Sequence, residues 1–254
     1  MLTDFIDIHS HALWGIDDGA KVLDESIDLC FCAEDSETKT LFLTPHLIYW
    51  DSAETLLDVR ERKIYELQDI LEKEGASLTV KKGFEILCDD DIFDVKHFLP
   101  YTLNESRYIL IEFDFFKTTA ADVLSWCKYL KSFGLIPIIA HPERYGFVSD
   151  DISSLDKLSD EGVLFQINAG SPAGVFGMNA AEISFSMLNN GYADFVGSDA
   201  HGMIGRNTDM SSLFDDYPYD TDENMLIRAA VNNPQCIVND KSFFPIRNKK
   251  MAEI

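Results

Sequence analysis

Three observations in the sequence predict an α/β protein built on a closed or nearly closed parallel barrel. Apolar runs alternate with helical stretches about seven times along the 254 residues, the order expected of repeated β/α units. The runs are near-continuous in Ile, Val, Leu and Phe rather than strictly alternating, as parallel strands covered on both faces require. His and carboxylate residues recur at the ends of these runs. Catalytic groups of β/α barrels gather where strand C-termini converge on one mouth, so this placement favours a ring over an open sheet, although periodicity alone leaves closure open.

Taken in order, the expected strands lie near 4–8, 40–44, 78–86, 107–113, 135–140, 163–168 and 193–198, each followed by Gly, Pro, Asn or Asp. A helix fits 21–36. The clearest helix begins at Asp51-Ser52, with Glu54 placed three after Asp51 like a capping-box partner. It carries Leu56, Ile64, Leu67 and Leu71 on one face and stops at Gly75. Another runs from about Ala120 to Phe133, with Val123, Cys127 and Leu130 on a stripe and Gly134 as its stop. Further helices fit 153–161, 178–190 and 221–233. No linker, repeat or low-complexity tract interrupts the pattern, so residues 1–254 read as a single domain.

Composition removes several function classes. Acidic residues outnumber basic ones 44 to 21, and the net charge of −23 repels phosphate backbones, which argues against nucleic acid. Most of that acid, including Asp89-Asp90-Asp91, reads as solvated surface. The apolar run Leu135-Ile136-Pro137-Ile138-Ile139-Ala140 is far too short to span a bilayer, and the N-terminus lacks a basic leader, so a soluble, cytoplasmic protein is expected. Cys30, Cys32, Cys88, Cys127 and Cys236 form no CxxC pair and read as small core residues. None has Arg six residues on, which disfavours thiolate phosphatase chemistry.

His9 and His11 end the first run. On a strand they project from one face about 7 Å apart, near enough to share one ion. Alone this is a weak signal, but His46, Glu85, Glu112, His141, Asp199 and His201 also fall at run ends, so five of the six histidines share the placement. His97, before Phe98-Leu99-Pro100, follows no strand and reads as structural. Asp7 shares the strand face of His9 and suits either a ligand-orienting carboxylate or a buried structural one. Asn168 ends a strand and reads as loop-ordering.

At these residues the chain resembles a known family. His9-Ser10-His11, Gly15-Ile16-Asp17-Asp18-Gly19, Thr44-Pro45-His46, Gly83-Phe84-Glu85-Ile86, Leu110-Ile111-Glu112-Phe113, Ala140-His141-Pro142-Glu143-Arg144-Tyr145, Ile167-Asn168-Ala169-Gly170-Ser171 and Ser198-Asp199-Ala200-His201 are similar to motifs of the PHP (polymerase and histidinol phosphatase) superfamily. The closest branch is that of the bacterial protein-tyrosine phosphatases of capsule and exopolysaccharide loci. The resemblance implies a distorted (β/α)7 TIM-like barrel with two or three divalent metal ions. It assigns His9, His11, Glu85 and Asp199 to a first ion, Glu85 as a bridge with Glu112 and His141 to a second, and Asp18, His46 and His201 to a third. Imidazole and carboxylate donors without thiolate suit Mn, Fe or Zn, with manganese frequent in the family. Arg144 and Arg206 are implied contacts to the substrate phosphate, where a planar guanidinium grips two oxygens.

Clustered cations suit phosphate-ester hydrolysis because they activate water, orient the phosphoryl group and offset charge on the leaving oxygen. The implied substrate is phosphotyrosine on a protein, expected to be an autophosphorylating bacterial tyrosine kinase that controls polysaccharide export. A small-molecule phosphatase such as histidinol phosphatase shares the chemistry and differs at the rim. A non-catalytic metal-binding partner of an assembly complex is the third reading. The chain departs from the family at Leu47-Ile48-Tyr49-Trp50, where a further polar residue is common, and at Glu34-Asp35-Ser36-Glu37-Thr38-Lys39, which lacks the usual glycine. Tyr49-Trp50 is expected either to line the substrate mouth or to pack on the rim.

Overall fold

In a computed structural model, residues 4–211, 213, 222–248 and 250–253 are described. Among the described residues, nine parallel strands form in chain order: β1 (Phe5–Asp7), β2 (Thr38–Leu43), β3 (His46–Leu47), β4 (Thr79–Lys82), β5 (Glu85–Leu87), β6 (Tyr108–Glu112), β7 (Ile136–Ala140), β8 (Leu164–Asn168) and β9 (Phe195–Gly197). They pair as two sets, β1-β2-β4 and β3-β5-β6-β7-β8-β9. The sets are two parts of one ring. β2 and β3 are halves of one run broken at Thr44-Pro45, and β4 and β5 are halves of another broken at Gly83-Phe84. Pairing continues across both breaks, where Gly83 N donates to Leu43 O and Glu85 N to Pro45 O.

The ring closes between the first and last strands. Ser10 bridges Ala200, His11 N donates to Ala200 O at 2.8 Å, and Asp199 N donates to His9 O at 2.9 Å. The seven runs expected from the sequence therefore make a distorted seven-stranded barrel. Where single strands near 40–44 and 78–86 were expected, each run is kinked, since Pro45 brings no N–H to the ladder and β4 must turn to follow β2 into β3.

Strand alternation sorts the core into an inner and an outer layer. Tyr108, Leu110, Ile138, Ala140, Leu164 and Phe195 pack with Ile6, Ile8 and Phe42 in one cluster. Their neighbours Ile109, Ile111, Ile139, Phe165, Ile167 and Val196 join Val123, Trp126, Leu130, Leu158 and Met187 of the helices. One row of side chains thus runs from apolar residues to polar ones at the mouth, as in Tyr108-Leu110-Glu112 and Leu164-Gln166-Asn168.

Among the described residues, the α-helices are α1 (Leu23–Asp35), α2 (Ala53–Glu74), α3 (Ala120–Ser132), α4 (Gly146–Asp150), α5 (Ser154–Asp160), α6 (Met178–Asn190), α7 (Glu223–Ile227) and α8 (Gln235–Val238). The expected Asp51–Glu54 capping box does not form. Asp51 lies in a 3-10 turn over Trp50–Ser52, and α2 starts at Ala53 with no side-chain cap. The capping box occurs instead on α3, where Thr119 and Asp122 bond reciprocally. The helix expected at 221–233 is α7 followed by a π-helical turn over Arg228–Asn232, and residue 221 lies outside the described residues. Among the described residues, no helix is long and apolar enough to cross a membrane.

Candidate metal centre

Two sharp backbone turns aim ligand candidates at the mouth. His141 follows β7 with φ 36° and Asp199 follows β9 with φ 52°, both in the left-handed region that costs a non-glycine residue roughly 1–3 kcal/mol. Strained positions of this kind persist where surrounding structure over-determines them, as the Asp199 N to His9 O bond does here. Close approach fixes another part of the rim: a Cβ on Gly19 would lie 2.1 Å from His11 O, so only glycine lets this loop fold back on His11.

All nine ligand candidates come together. His9 Nε2, His11 Nε2 and Asp199 Oδ1 lie 3.1, 3.6 and 3.7 Å apart. Four donors about 2.1 Å from a tetrahedral ion are separated by about 3.4 Å, so this triangle has the edge length a metal needs. Glu85 Oε2 is 3.2 Å from each of the two imidazole nitrogens and 3.1 Å from His46 Nδ1, and so faces two groups of donors at once. Glu112 Oε1 lies 2.8 Å from His46 Nδ1, and His141 Nε2 lies 2.9 Å from Glu85 Oε1. Asp18 Oδ1 is 3.4 Å from Nε2 of both His46 and His201. His46 thus stands between the donors assigned to the second and third ions, and His11 joins Asp18, His46 and His201 in one compact group.

The donor chemistry fits divalent cations. His9 Nδ1 meets Gln166 Oε1 at 2.8 Å, and the Gln166 amide is oriented because its nitrogen donates to Ile167 O and Asn168 Oδ1. His11 Nδ1 meets Asp17 Oδ2 at 2.8 Å, and His201 Nδ1 meets the Asp199 carbonyl at 2.9 Å. An oxygen acceptor at each Nδ1 places the proton there, leaving the Nε2 lone pair facing the mouth, the tautomer a metal requires. Glu85 Oε2 and His46 Nδ1 are buried 3.1 Å apart with no hydrogen bond of proper geometry between them, as expected of lone pairs aimed at a common point.

Without an ion, the imidazoles supply the positive charge. Burial lowers the pKa of His9, but the Glu85 carboxylate outweighs it and raises the group to about 8. For Glu85, burial raises the carboxyl, while His9, His11 and His141 hold it well below its usual range. His201 goes the other way: burial, joined by the nearby His11 charge, pushes it down to about 4.

The two arginines meet on the far oxygen of Asp199. Its Oδ2 accepts from Arg144 Nη1 at 3.2 Å, Arg206 Nη1 at 3.0 Å and Asn168 Nδ2 at 2.7 Å. Arg206 is therefore no isolated surface salt bridge. Asn168 orders a ligand candidate as well as its loop. Asp7 is fully buried and accepts from the backbone N–H groups of His9 and Ser198, tying β1 to β9. Of the aromatic pair, Tyr49 lines a groove of about 560 Å³ with Ile16, Ile48, Leu56 and Leu87 beside Asp18, His46 and Glu112. Trp50 packs edge-on against Phe98 and Tyr101 and belongs to the rim. His97 is exposed and stands apart from these groups.

Several supporting residues escaped the sequence reading. Asp17 sits beside Asp18 in the Gly15–Gly19 segment, where spacing cannot separate a ligand from its orienting neighbour. Gln166 could have been found from its i, i+2 relation to Asn168 on β8. Glu143, fully buried, accepts from Asn168 N and Ser171 Oγ, and only tertiary structure reveals that link.

Comparison with known proteins places this arrangement. The family described as capsular polysaccharide synthesis, CpsB/CapC, matches residues 5–239. The CapC protein of Staphylococcus aureus is 34% identical over 213 residues, covering 83% of this chain and 82% of that one. The tyrosine-protein phosphatase YwqE of Bacillus subtilis is 34% identical over 207 residues, covering 80% and 79%. A solved structure from work on YwqE of Bacillus subtilis and CpsB of Streptococcus pneumoniae, described there as metal-dependent tyrosine phosphatases, matches with TM-score 0.80 at 30% identity, over 95% of this chain and 97% of that one. An amidohydrolase from Mycoplasma synoviae, at TM-score 0.58 and 13% identity over 92% and 87%, shares the fold.

Proposed function

The chain belongs to the CpsB/CapC family of capsular polysaccharide synthesis, and on that premise we propose that it is a metal-dependent phosphomonoesterase acting on phosphotyrosine in proteins. One observation carries the reading: nine His, Asp and Glu side chains and two arginines, drawn from strand ends and loops across two hundred residues, meet at a single mouth. The proposed ligand sets are His9, His11, Glu85 and Asp199; Glu85, Glu112 and His141; and Asp18, His46 and His201. Two or three ions are expected, with manganese favoured by the family resemblance over iron or zinc. Bound divalent cations there supply water activation and charge neutralisation for phosphoryl transfer.

The chain's own groups do the rest. Arg144 and Arg206 present guanidinium edges beside the ligand cluster and are proposed to grip phosphoryl oxygens bidentately. Gln166 and Asp17 fix the imidazole tautomers of His9 and His11. The apolar walls of the groove at Ile48, Tyr49, Leu56 and Leu87 suit an aromatic leaving group. A phenol leaves with a pKa of about 10, so the demand for a strong general acid is modest. One domain is proposed to carry the whole activity. A bacterial tyrosine kinase is the proposed protein substrate, and the cytoplasm the proposed location.

The test is turnover of a phosphotyrosyl peptide beside histidinol phosphate after metal removal and add-back. Metal-restored activity with clear preference for the peptide is expected. Preference for histidinol phosphate would reassign the substrate, and full activity after complete metal removal would sink the mechanism.

A further inference from the structure

The loop between β8 and α6 carries one side chain that touches both arginines. The guanidinium of Arg144 lies between two aromatic rings, 4.6 Å from the Phe115 centroid and 4.5 Å from that of Phe176. The guanidinium of Arg206 lies 5.6 Å from the same Phe176 ring. Both arginines donate to Asp199 Oδ2, and both remain about a quarter exposed. Two like charges are thus held together by one carboxylate oxygen and one shared π face.

We propose that Phe176 is the positioning residue that sets Arg144 and Arg206 for the substrate phosphoryl group. The inference rests on the reading above that these arginines grip phosphate. A free arginine side chain loses rotamer entropy when it closes on a ligand. A ring that already holds the guanidinium plane removes part of that loss before substrate arrives.

The loop is built to hold the ring in place. Ser171 Oγ and Asn168 N both donate to Glu143, the residue immediately before Arg144, so the base of the loop and the arginine share one anchor. Turn bonds follow from Gly174 N to Ser171 O, Val175 N to Gly170 O and Gly177 N to Gly174 O. Gly177, with φ 92° and open space where a Cβ would stand, gives the backbone a conformation that other residues rarely adopt. Phe176 offers no ligand atom of its own and meets the site through the two guanidiniums, so its effect passes through the arginines.

Phe176→Leu, Phe176→Tyr and Phe176→Trp, measured on metal-loaded protein with metal content and Tm recorded, test the assignment. Phe176→Leu keeps apolar bulk and loses the π face. Its kcat/KM should fall on the order of threefold to thirtyfold, equally for a phosphotyrosyl peptide and a small aryl phosphate, with metal content unchanged. Tyr and Trp should retain most of the activity. Wild-type kcat/KM in the Leu variant overturns the proposal, and so does equal impairment in all three, which would mark a packing role. Should the wild type hydrolyse no phosphate ester after metal add-back, the phosphatase reading fails by itself. Calorimetric titration of inorganic phosphate into wild type and Phe176→Leu then decides the positioning role: weaker binding by the variant supports it and equal Kd overturns it.

Discussion

Asp199 holds two charge systems together, with Oδ1 among the imidazoles and Oδ2 bonded to Asn168, Arg144 and Arg206. Asp199→Ala should therefore abolish turnover twice over, by emptying a ligand position and by releasing both arginines. His141→Ala should abolish it through Glu85, which loses its 2.9 Å partner. Both variants should keep their far-ultraviolet circular dichroism, since residues at the mouth add little to the apolar core; near-normal kcat with full metal content would refute the ligand assignment. Arg144→Lys and Arg206→Lys test a different property. Lysine keeps the charge and loses the fork, so kcat/KM should drop on the order of tenfold to a hundredfold with metals retained. Wild-type kcat/KM would reduce the arginines to partners of Asp199. Eight of the nine proposed ligands were legible as His or carboxylate at the ends of apolar runs, whereas Asp18, in the Gly15–Gly19 loop, came only from the family resemblance. Phe176 and Glu143 were not legible, since a phenylalanine in a glycine-rich loop and an acid beside an arginine look the same wherever they fold.

Among elements, the two kinked runs decide the shape of the mouth. His46 and Glu85 are register partners at the first residues of β3 and β5, so the breaks before them, rather than strand ends, deliver these two side chains. An apolar run read along the chain cannot reveal such a break, because it arises from pairing with a neighbouring strand. One buried residue holds it: Arg60 of α2, with no exposed surface, donates from Nη1 to Gly83 O at 3.0 Å and from Nη2 to Pro100 O at 3.1 Å, with its guanidinium 4.4 Å from the Phe84 centroid. Helix periodicity located α2 and its stop at Gly75 correctly. A charged residue on its buried side contradicts that same pattern and is explained by the carbonyls it meets and by Glu61 Oε1, 2.6 Å from Nη2. Arg60→Met should leave both carbonyls without their donor and cost on the order of 3 kcal/mol, or roughly 6–12 °C in Tm for a chain of this size. A thermal melt unchanged within about 2 °C would show that water satisfies the kink instead.

For the whole molecule, the chain's last described residues fasten the outer layer. Arg247 forms a two-pronged ion pair with buried Asp194, which closes on the start of β8 by accepting from Phe165 N. Farther along, Asp156 of α5 accepts from Met251 N and Ala252 N, each at 2.9 Å, and from Tyr192 Oη. None of this was legible, since the segment has no periodicity and its partners lie between 53 and 96 residues away. Burial alone raises the Asp156 carboxyl, but donation from Tyr192 and from the two backbone N–H groups outweighs it and holds the group below its usual 3.8. A carboxyl lowered on folding contributes stability above its unfolded pKa and loses that contribution as pH falls through the lowered folded value. Asp156→Asn puts an N–H donor where one backbone N–H needs an acceptor, and should cost on the order of 1–3 kcal/mol at pH 7. The Tm gap between wild type and variant should stay constant from neutral pH to about 5 and narrow below 3.8, because the unfolded carboxyl takes up its proton there before the folded one does. Melts across that range, at fixed metal content, measure the gap directly. A gap that widens on acidification would mean that Asp156 is protonated more readily in the folded chain than in the unfolded one, and the role assigned to its charged carboxylate would be wrong.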